Sequence, residues 1–346
     1  MGAFDNAGIL SIKTLSSQVH ASMSKTPSCI AITGATSFIG QHLIRYLSSL
    51  QEIEMRLLIH SRQPYYSERD SGLTLIQGDL LKPETLSGFL APDCLVIHLA
   101  YLNGVSDGGN LEAAANLAEA CIEAHVKKLV HCSTAVVAGK TSDNPVTEET
   151  TCEPGNLYEF TKYRMELLFA QKAKDHFDLA ILRPTAVFGP GGKNLLKLSD
   201  DLTSSNRILN YLKSCLFDHR CMNLVSVTHV VKALVFLAAV EAKQNSGIFI
   251  VSDDEQPLNN YRDIEKCLMQ AFGVPDYRLP RVPFPQFLLP VLLKLAGRSN
   301  TRPFRTYCAD KLRKAGLQYT DSFETDLTSF ADWYKKRGKD SVTGKL

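Results

Sequence analysis

The chain has 346 residues, of which 45% are hydrophobic and 21% charged, and its net charge is +2 at pH 7. This composition is that of a folded globular protein, and the small charge excludes an electrostatic basis for nucleic-acid binding. The nine cysteines are scattered and form no Cys-x-x-Cys pair. We therefore expect free, mostly buried thiols, a reducing cytoplasmic location and no metal site.

Residues 1–27 are rich in Ser and Ala and lack apolar periodicity, so we expect a flexible N-terminal tail. An organelle transit peptide is the alternative, because Asp5 is the only acid there, although the segment contains no arginine. No run in the chain approaches ~18 uninterrupted apolar residues, and no membrane-spanning segment is predicted.

The first structured unit is a strand, a glycine turn and a helix. An apolar run ends at Thr33, Gly34 follows, and a helical pattern begins at Gly40, with Ser37 where a middle glycine is usual. Such a turn aims backbone N–H groups and a helix N-terminus at an anion, here a dinucleotide pyrophosphate. The alternative is an ordinary connection. The predicted elements are strand 29–33, helix 40–50 and strand 55–60.

The end of the second strand is expected to face the adenosine ribose. A site for NAD carries an acid there, whereas this chain has His60-Ser61-Arg62. An arginine pairs with a 2′-phosphate through two hydrogen bonds. We therefore favour NADP over NAD, the alternative being that Arg62 is a solvated loop residue.

Three further strands are predicted, at 73–77, 94–99 and 128–132, with a helix at 110–124 before the last of them. Asp79 follows the first of these strands and either accepts the adenine amino group or makes an Asx turn or helix cap. The strand at 94–99 is almost entirely apolar, as expected for a parallel strand buried on both faces. The small Ala100 beyond it lets backbone approach the cofactor.

The candidate chemistry lies on a later helix, where Tyr158 and Lys162 are four residues apart and share one face. An ammonium beside a phenol lowers the pKa of the phenol, and Thr134, after strand 128–132, can hold a substrate oxygen nearby. Together these groups form a proton relay for hydride transfer at a carbinol carbon. The alternative is a solvated Tyr–Lys pair.

The order of these motifs resembles the extended short-chain dehydrogenases/reductases of the NAD-dependent epimerase/dehydratase family, over residues 28–335. The matching segments are Thr33 to Gly40, Gly78-Asp79-Leu80, His98-Leu99-Ala100, Asn110 with Asn116-Leu117, Ser133-Thr134 with Val137-Ala138-Gly139, Tyr158 with Lys162, Leu182-Arg183-Pro184, and Val187 to Gly191. The resemblance implies a Rossmann-type, doubly wound and mostly parallel sheet with a small C-terminal α/β substrate lobe.

The resemblance also implies residue roles. Tyr158 is expected to be the acid/base, Lys162 to hold the nicotinamide ribose and tune Tyr158, and Thr134 to bind the reacting oxygen, while Asn110 supports the lysine through water. The cofactor-binding residues expected are Gly34, Thr36, Ser37, Phe38, Ile39, Gly40, His60, Arg62, Asp79, Leu80, Leu99, Ala100, Ser133, Tyr158, Lys162, Pro184 and Val187.

Two departures from the family pattern bear on the reaction. Dehydratases of this family carry Asp-Glu where this chain has Ala135 and Val136, so dehydration is disfavoured. Ala138 replaces a tyrosine that commonly walls a sugar site. The expected function is a nucleotide-sugar 4-epimerase or 4-keto reductase. The alternatives are an NADPH-dependent reductase of apolar substrates, like the hydroxysteroid dehydrogenases, and a non-catalytic dinucleotide sensor.

The predicted organisation is a tail at 1–27, a dinucleotide domain at 28–190 whose sheet is completed by later strands, a substrate lobe at 191–336 and a loose tail at 337–346. Asn194 and Arg220 are candidate substrate contacts, and His229 is expected to be structural. The apolar stretch 282–296 is interpreted as a lobe helix, or alternatively as a lid or peripheral membrane contact. The resemblance also implies a homodimer formed through the helices of Asn110 and Tyr158.

Overall fold

The computed structural model describes residues 29–50, 53–61, 72–203, 206–240, 246–282, 284–295, 302–319 and 321–342. The predicted tail 1–27 and Arg62 lie outside these residues. The strands are β1 (Ile30–Thr33), β2 (Met55–Ile59), β3 (Leu73–Gln77), β4 (Leu95–His98), β5 (Lys128–Cys132), β6 (Asp178–Pro184), β7 (Ala186–Phe188), β8 (Leu224–Ser226) and β9 (Gly247–Val251).

The helices are α1 (Phe38–Ser49), α2 (Asp107–Glu123), α3 (Leu157–Ala173), α4 (Leu196–Thr203), α5 (Arg207–Phe217), α6 (Val227–Ala239), α7 (Tyr261–Phe272), α8 (Leu289–Leu295), α9 (Asp310–Lys314) and α10 (Phe323–Val342). Short 3₁₀ turns occupy Pro83–Leu86, Ala135–Ala138 and Gln286–Leu288. No helix among the described residues is long and apolar enough to cross a membrane.

Seven parallel strands form one sheet in the order β3-β2-β1-β4-β5-β6-β9. The order reverses between β1 and β4, which opens a crevice at the carboxyl ends of these strands. Every residue of β1, β4 and β5 is buried, as expected for central strands covered on both faces. The predicted Rossmann-type fold is confirmed.

Helices cover both faces of the sheet. On one face, α1 and α6 contribute Leu43, Leu47 and Leu234 to the core, and on the other, α2 and α3 contribute Leu117 and Phe169. A separate cluster in the C-terminal lobe joins β7, α4, α7 and α10, so the lobe has an apolar core of its own.

Two helices begin earlier than predicted, and a serine cap explains each case. The Ser37 side chain accepts the Gly40 N–H at 3.1 Å, and the Ser106 side chain accepts the Gly109 N–H at 3.2 Å. These caps satisfy N–H groups that a helix start leaves without helical partners. The apolar pattern, which locates the buried residues, misses this first turn.

The C-terminal predictions need two adjustments. The apolar stretch predicted as one lobe helix at 282–296 is a 3₁₀ turn followed by the short helix α8. Proline lacks an N–H and is tolerated only in the first turn of a helix, which is where Pro290 stands. Helix α10 runs to Val342, so residues 337–342 of the predicted tail are helical.

Candidate active site

The turn between β1 and α1 brings backbone against backbone. Gly34 has φ +72°, and a Cβ at this position would lie 2.8 Å from the Ala100 nitrogen, while a Cβ at Gly40 would lie 2.3 Å from the Gly34 oxygen. Only glycine fits at either position. The turn can therefore lie flat against the end of β4, with the N-terminus of α1 open toward the crevice.

Ser37 replaces the usual middle glycine without strain, since its φ is −72° and its hydroxyl caps α1. The cap uses one N–H of the first turn and leaves those before it for an anion. Ser37 therefore supports the predicted pyrophosphate cradle rather than weakening it.

A cleft of about 570 Å³ opens in front of this turn. Its lining includes eight of the predicted cofactor residues, namely Gly34, Thr36, Ser37, His60, Asp79, Leu80, Leu99 and Ala100. Phe38 lies instead against the glycine loop after β7. Its ring is so close that a Cβ at Gly192 would lie 2.9 Å from it. Both the volume and the glycine-only backbone fit an extended dinucleotide.

At the far end of the cleft, Asp79 makes two contacts. Its Oδ1 accepts the Leu81 N–H at 3.0 Å, which is the Asx turn considered as an alternative, and its Oδ2 lies 3.5 Å from His60 Nε2. Asp79 also lines the cleft, so the turn and adenine recognition are compatible roles.

Beyond Tyr101, which lines the cleft and contacts the Tyr158 ring, the side chains of Thr134 and Tyr158 are hydrogen-bonded. Thr134 follows β5 directly, and Tyr158 lies in the first turn of α3. Burial, followed by the nearby Cys132 and Tyr101, raises the pKa of Tyr158 to about 12 although the Thr134 bond lowers it. The structure thus brings together two of the three predicted catalytic groups.

Lys162 lies beneath this pair and is 4% exposed. Its Nζ donates to the Cys132 carbonyl at 3.2 Å, and burial lowers its pKa. The expected lowering of the Tyr158 pKa by this ammonium stays a prediction for the protein with its cofactor. Here the lysine is directed at a backbone carbonyl, and partial burial is the largest cause of the raised pKa of Tyr158, which is 42% exposed overall.

Asn110 is buried in the first turn of α2 and holds the loop after β4. Its Oδ1 accepts the Leu102 N–H at 2.8 Å, and its Nδ2 donates to the Leu102 carbonyl at 3.1 Å. Both ends of the amide are thus bonded to one backbone residue. Asn110 shapes a wall of the cleft, and its expected link to Lys162 stays a prediction.

Tyr101, which the sequence did not single out, completes the catalytic cluster. Its ring lies 5.2 Å from the Tyr158 ring in an edge-to-face contact, and Lys162 Nζ lies 5.1 Å from its centroid. Its hydroxyl bonds Thr161, which in turn donates to Asp107 at 2.8 Å. The only sequence signal for Tyr101 was its position directly after Ala100, just beyond the end of β4.

A pair of buried histidines, also missed, lies beside the lysine. His98 and His131 face each other across β4 and β5, with ring centroids 5.2 Å apart. His98 Nδ1 lies 2.6 Å from the Thr33 hydroxyl. Burial, then the charge of Lys162, lowers the pKa of His98 to about 3, so both the burial and the lysine keep this ring neutral.

The substrate side of the cluster carries no carboxyl group at the dehydratase positions. Val136 is exposed and Ala135 is buried. The small Ala138 is also buried and packs with Val146, Ile250 and Tyr307. The ring of Tyr307, from the C-terminal segment, therefore packs against the cluster that contains the small Ala138 side chain.

The remaining predicted residues lie around the cluster or away from it. Ser133 and Pro184 are buried at the ends of β5 and β6, and the Val187 carbonyl accepts from Asn194 at 2.7 Å. Arg220 stacks over Phe217 in the lobe at 5.4 Å. No contact of the described residues joins either candidate substrate residue to Thr134 or Tyr158.

His229 is bonded to Asp253 at 2.8 Å and stacks on Tyr319 at 4.0 Å. Both contacts are internal to the fold, and the ring is buried. This agrees with the structural role expected for His229.

The strand order, glycine turn and cleft define a dinucleotide-binding Rossmann domain with a candidate hydride-transfer site. The family model for the NAD dependent epimerase/dehydratase family matches residues 30–251. The chain belongs to this family, as its motifs indicated.

A UDP-glucose 4-epimerase from Vibrio cholerae is 26% identical over 290 residues, covering 80% of this chain and 84% of the relative. WbmG from Bordetella bronchiseptica, solved with NAD and UDP, has a TM-score of 0.67 at 19% identity and covers 89% of this chain and 95% of its own. A dTDP-glucose 4,6-dehydratase from Bacillus anthracis, solved with NAD, has a TM-score of 0.65 at 16% identity, covering 90% and 97%.

These comparisons bear on the cofactor and the reaction. The family is NAD-dependent and both solved neighbours contain NAD, so the preference for NADP is not supported. Because epimerases and a dehydratase share the fold, the fold alone does not separate these reactions.

Proposed function

We propose that this protein is a nucleotide-sugar 4-epimerase that oxidises a ring carbinol and reduces the resulting ketone with one bound nicotinamide dinucleotide. The observation that carries the proposal is the hydrogen-bonded Thr134–Tyr158 pair, which lies against Tyr101 in the lining of the dinucleotide cleft. The likeness to a UDP-glucose 4-epimerase supports the substrate class.

A bound nicotinamide dinucleotide would supply the hydride acceptor and donor for the carbinol carbon. The glycine turn and the N-terminus of α1 would hold its pyrophosphate, and Lys162 would hold the nicotinamide ribose. An ammonium has three N–H donors, so the bond to Cys132 leaves capacity for ribose hydroxyls.

Tyr158 and Thr134 handle the substrate proton. With a pKa of about 12 the phenol is protonated at neutral pH, which suits donation to the ketone oxygen in the reductive half-reaction. The oxidative half-reaction needs the phenolate and therefore speeds up as pH rises. Thr134 holds the reacting oxygen beside the phenol.

Dehydration is the less favoured reaction because an elimination needs an acid to protonate the leaving hydroxyl. Ala135 and Val136 stand at the family's acidic positions and cannot supply that proton. Simple reduction of a 4-keto sugar uses the same residues as epimerisation and differs in consuming one equivalent of reduced cofactor per turnover.

The test is to supply UDP-glucose and UDP-galactose, with and without their N-acetyl forms, and to analyse the products by NMR. An epimerase forms the C4 epimer without net change in reduced cofactor. Because hydride transfer retains the carbinol hydrogen, product formed in D₂O carries no deuterium at C4. Stoichiometric oxidation of reduced cofactor, or dehydrated product, would contradict epimerisation.

The mechanism is tested separately with Tyr158→Phe, for which we expect kcat to fall by about 10²- to 10⁴-fold while dinucleotide affinity is retained. Tyr163→Phe is the matched control on the same helix and should behave as the wild type. Unchanged turnover in Tyr158→Phe would rule out the acid/base role.

A further inference from the structure

The C-terminal lobe exposes a set of large apolar side chains that its core does not use. We call them the apolar face, and its members are Ile208, Leu212, Leu279, Val282, Phe287 and Leu295. They are between 55% and 80% exposed. Scattered surface leucines need no explanation, but a concentration of this kind marks an interaction site.

Hydrogen bonds place the contributing segments side by side. The Tyr211 hydroxyl on α5 donates to the Pro280 carbonyl at 3.0 Å, and the Phe284 N–H donates to the Cys215 carbonyl at 3.0 Å. The chain at residues 280–282 and 284 therefore runs along α5, next to the turn bearing Ile208 and Leu212. Helix α8 follows directly and is anchored by the buried Leu289.

Beneath this face the polar side chains are directed inward. Glu265 is fully buried and accepts hydrogen bonds from the Tyr277 hydroxyl at 2.9 Å and from Ser214, and Arg281 Nε donates to Ser214 at 2.9 Å. This network joins α5, α7 and the segment before α8. The segments are thus held so that polar groups are satisfied inside and apolar groups face outward, the reverse of an ordinary surface.

The same segments are rich in cationic residues. Residues 207–217 and 277–295 contain five Lys or Arg and no Asp or Glu, although Asp276 borders the second segment and pairs with Arg281, and Asp201 pairs with Lys213. With 36 acids in 346 residues, thirty residues at the chain's average would hold about three. Arg278 and Lys294 are exposed at this face. An apolar surface with cationic residues at its edge matches the boundary of an anionic bilayer.

We propose that the apolar face docks this protein on a membrane surface containing anionic lipids. The apolar side chains enter the boundary between headgroups and acyl chains, and Arg278 and Lys294 bind lipid phosphates. A second copy fits this face less well, because a twofold interface would set the cations of each copy against those of the other. This proposal does not depend on the reaction catalysed.

The test is flotation of the full-length protein with vesicles of phosphatidylcholine alone or mixed with phosphatidylglycerol. We expect binding to the mixed vesicles, at least about tenfold weaker binding to the neutral ones, and loss of binding at high salt. The variant Ile208→Glu with Phe287→Glu should lose vesicle binding by about tenfold or more. Arg278→Gln with Lys294→Gln should lose only the preference for anionic lipid.

Leu167→Glu is the matched control, since Leu167 is 53% exposed but lies on α3 and not on a segment of the apolar face. It should bind vesicles as the wild type does. Because α3 is a helix of the expected dimer, the oligomeric state of this control is measured beside that of the wild type. The substituted positions are exposed, and equal melting temperatures would confirm that the variants fold.

Absence of wild-type binding overturns the proposal, as does equal binding by all variants. A change in oligomeric state caused by the face variants, without a change in vesicle binding, would assign the face to a second copy. None of these readouts measures catalysis, so they stand or fall separately from epimerase activity.

Discussion

The cofactor half of the molecule concentrates its unpartnered buried polar atoms at one edge of the sheet, whereas those of the C-terminal lobe are scattered over Ser199, Arg305, Tyr319 and Asp326. Among the described residues, the Ser133 and Thr185 hydroxyls and the His131 ring nitrogens are buried and unpartnered, and all lie near the carboxyl ends of β5 and β6. Native proteins rarely leave such groups unsatisfied. Their concentration at one edge of the sheet indicates that this edge is completed by a ligand.

The lobe contains a network around Asn259 and Asp254 that shows the opposite arrangement. Asn259 Nδ2 donates to the carbonyls of Leu224 and Asp253, and Asp254 accepts from Asn223 at 2.7 Å and from the Tyr307 N–H at 2.8 Å. These groups are satisfied by the chain itself. Such internally bonded networks stabilise a lobe, whereas a cluster of unpartnered atoms at one edge accompanies a site, and the predictions below test one region of each kind.

The largest expected effect is in the cofactor half, at Gly40. Gly40→Ala places a Cβ where the Gly34 oxygen lies at 2.3 Å, so the turn must open. We expect dinucleotide affinity to fall by at least about 100-fold and stability to fall by roughly 1–3 kcal/mol. Calorimetric titration with NAD and denaturant unfolding measure the two effects.

Gly108→Ala is the matched control, because Gly108 is also helical and its nearest neighbour to an added Cβ is 3.7 Å away. Here stability should rise by about 0.4–1 kcal/mol, since alanine restricts the unfolded chain. NAD affinity equal to the wild type in Gly40→Ala would show that the turn is not the pyrophosphate site.

The cofactor half and the lobe also differ in how much of their structure the sequence predicts. The cofactor half depends on local backbone geometry, and local geometry leaves a pattern, such as a glycine where φ is positive or an apolar run where both faces are covered. β3 and β5 were predicted at their observed bounds for this reason. In the lobe, the partners of Glu265 and Asp254 come from distant segments, and no local pattern reveals them.

Two features of the site could not be predicted from the sequence, for a similar reason. The pKa of Tyr158 depends on burial and on the direction of the Lys162 side chain, neither of which follows from a spacing of four residues. Tyr101 acts through ring contacts set by the sheet and α3 together. The helix starts at Phe38 and Asp107 depended on serine caps that a hydrophobic pattern does not register.

A smaller effect is expected at Tyr101. Tyr101→Ala removes a ring from Lys162 and from Tyr158, so kcat should fall by about tenfold, the size of one aromatic and one cation–π contact. The pKa of Tyr158 should fall toward its usual value because the phenol becomes more exposed. Spectroscopic titration of the wild type against Tyr158→Phe isolates this phenol.

Tyr101→Phe is the control that keeps the ring and loses only the bond to Thr161. It should retain kcat within about twofold, given the small net contribution of one hydrogen bond. Equal losses in the two variants would mean that the hydroxyl chain to Asp107, not the ring, maintains the cluster.

The smallest effect concerns Asp254 in the lobe and is measured as the pH dependence of stability. Burial raises the pKa of Asp254 to about 6 although its hydrogen bonds lower it, while the unfolded chain keeps the ordinary 3.8. The folded protein therefore binds a proton more readily than the unfolded chain, and the wild type gains stability as pH falls through 6. Relative to Asp254→Asn, the gain between pH 7.5 and pH 5 should be on the order of 1 kcal/mol.

Between pH 7.5 and pH 9 the difference in stability between the two proteins should stay constant, which provides an internal control in the same denaturant series. A difference that is flat from pH 9 to pH 5 would mean that the bonds from Asn223 and Tyr307 fully offset the burial of this carboxylate.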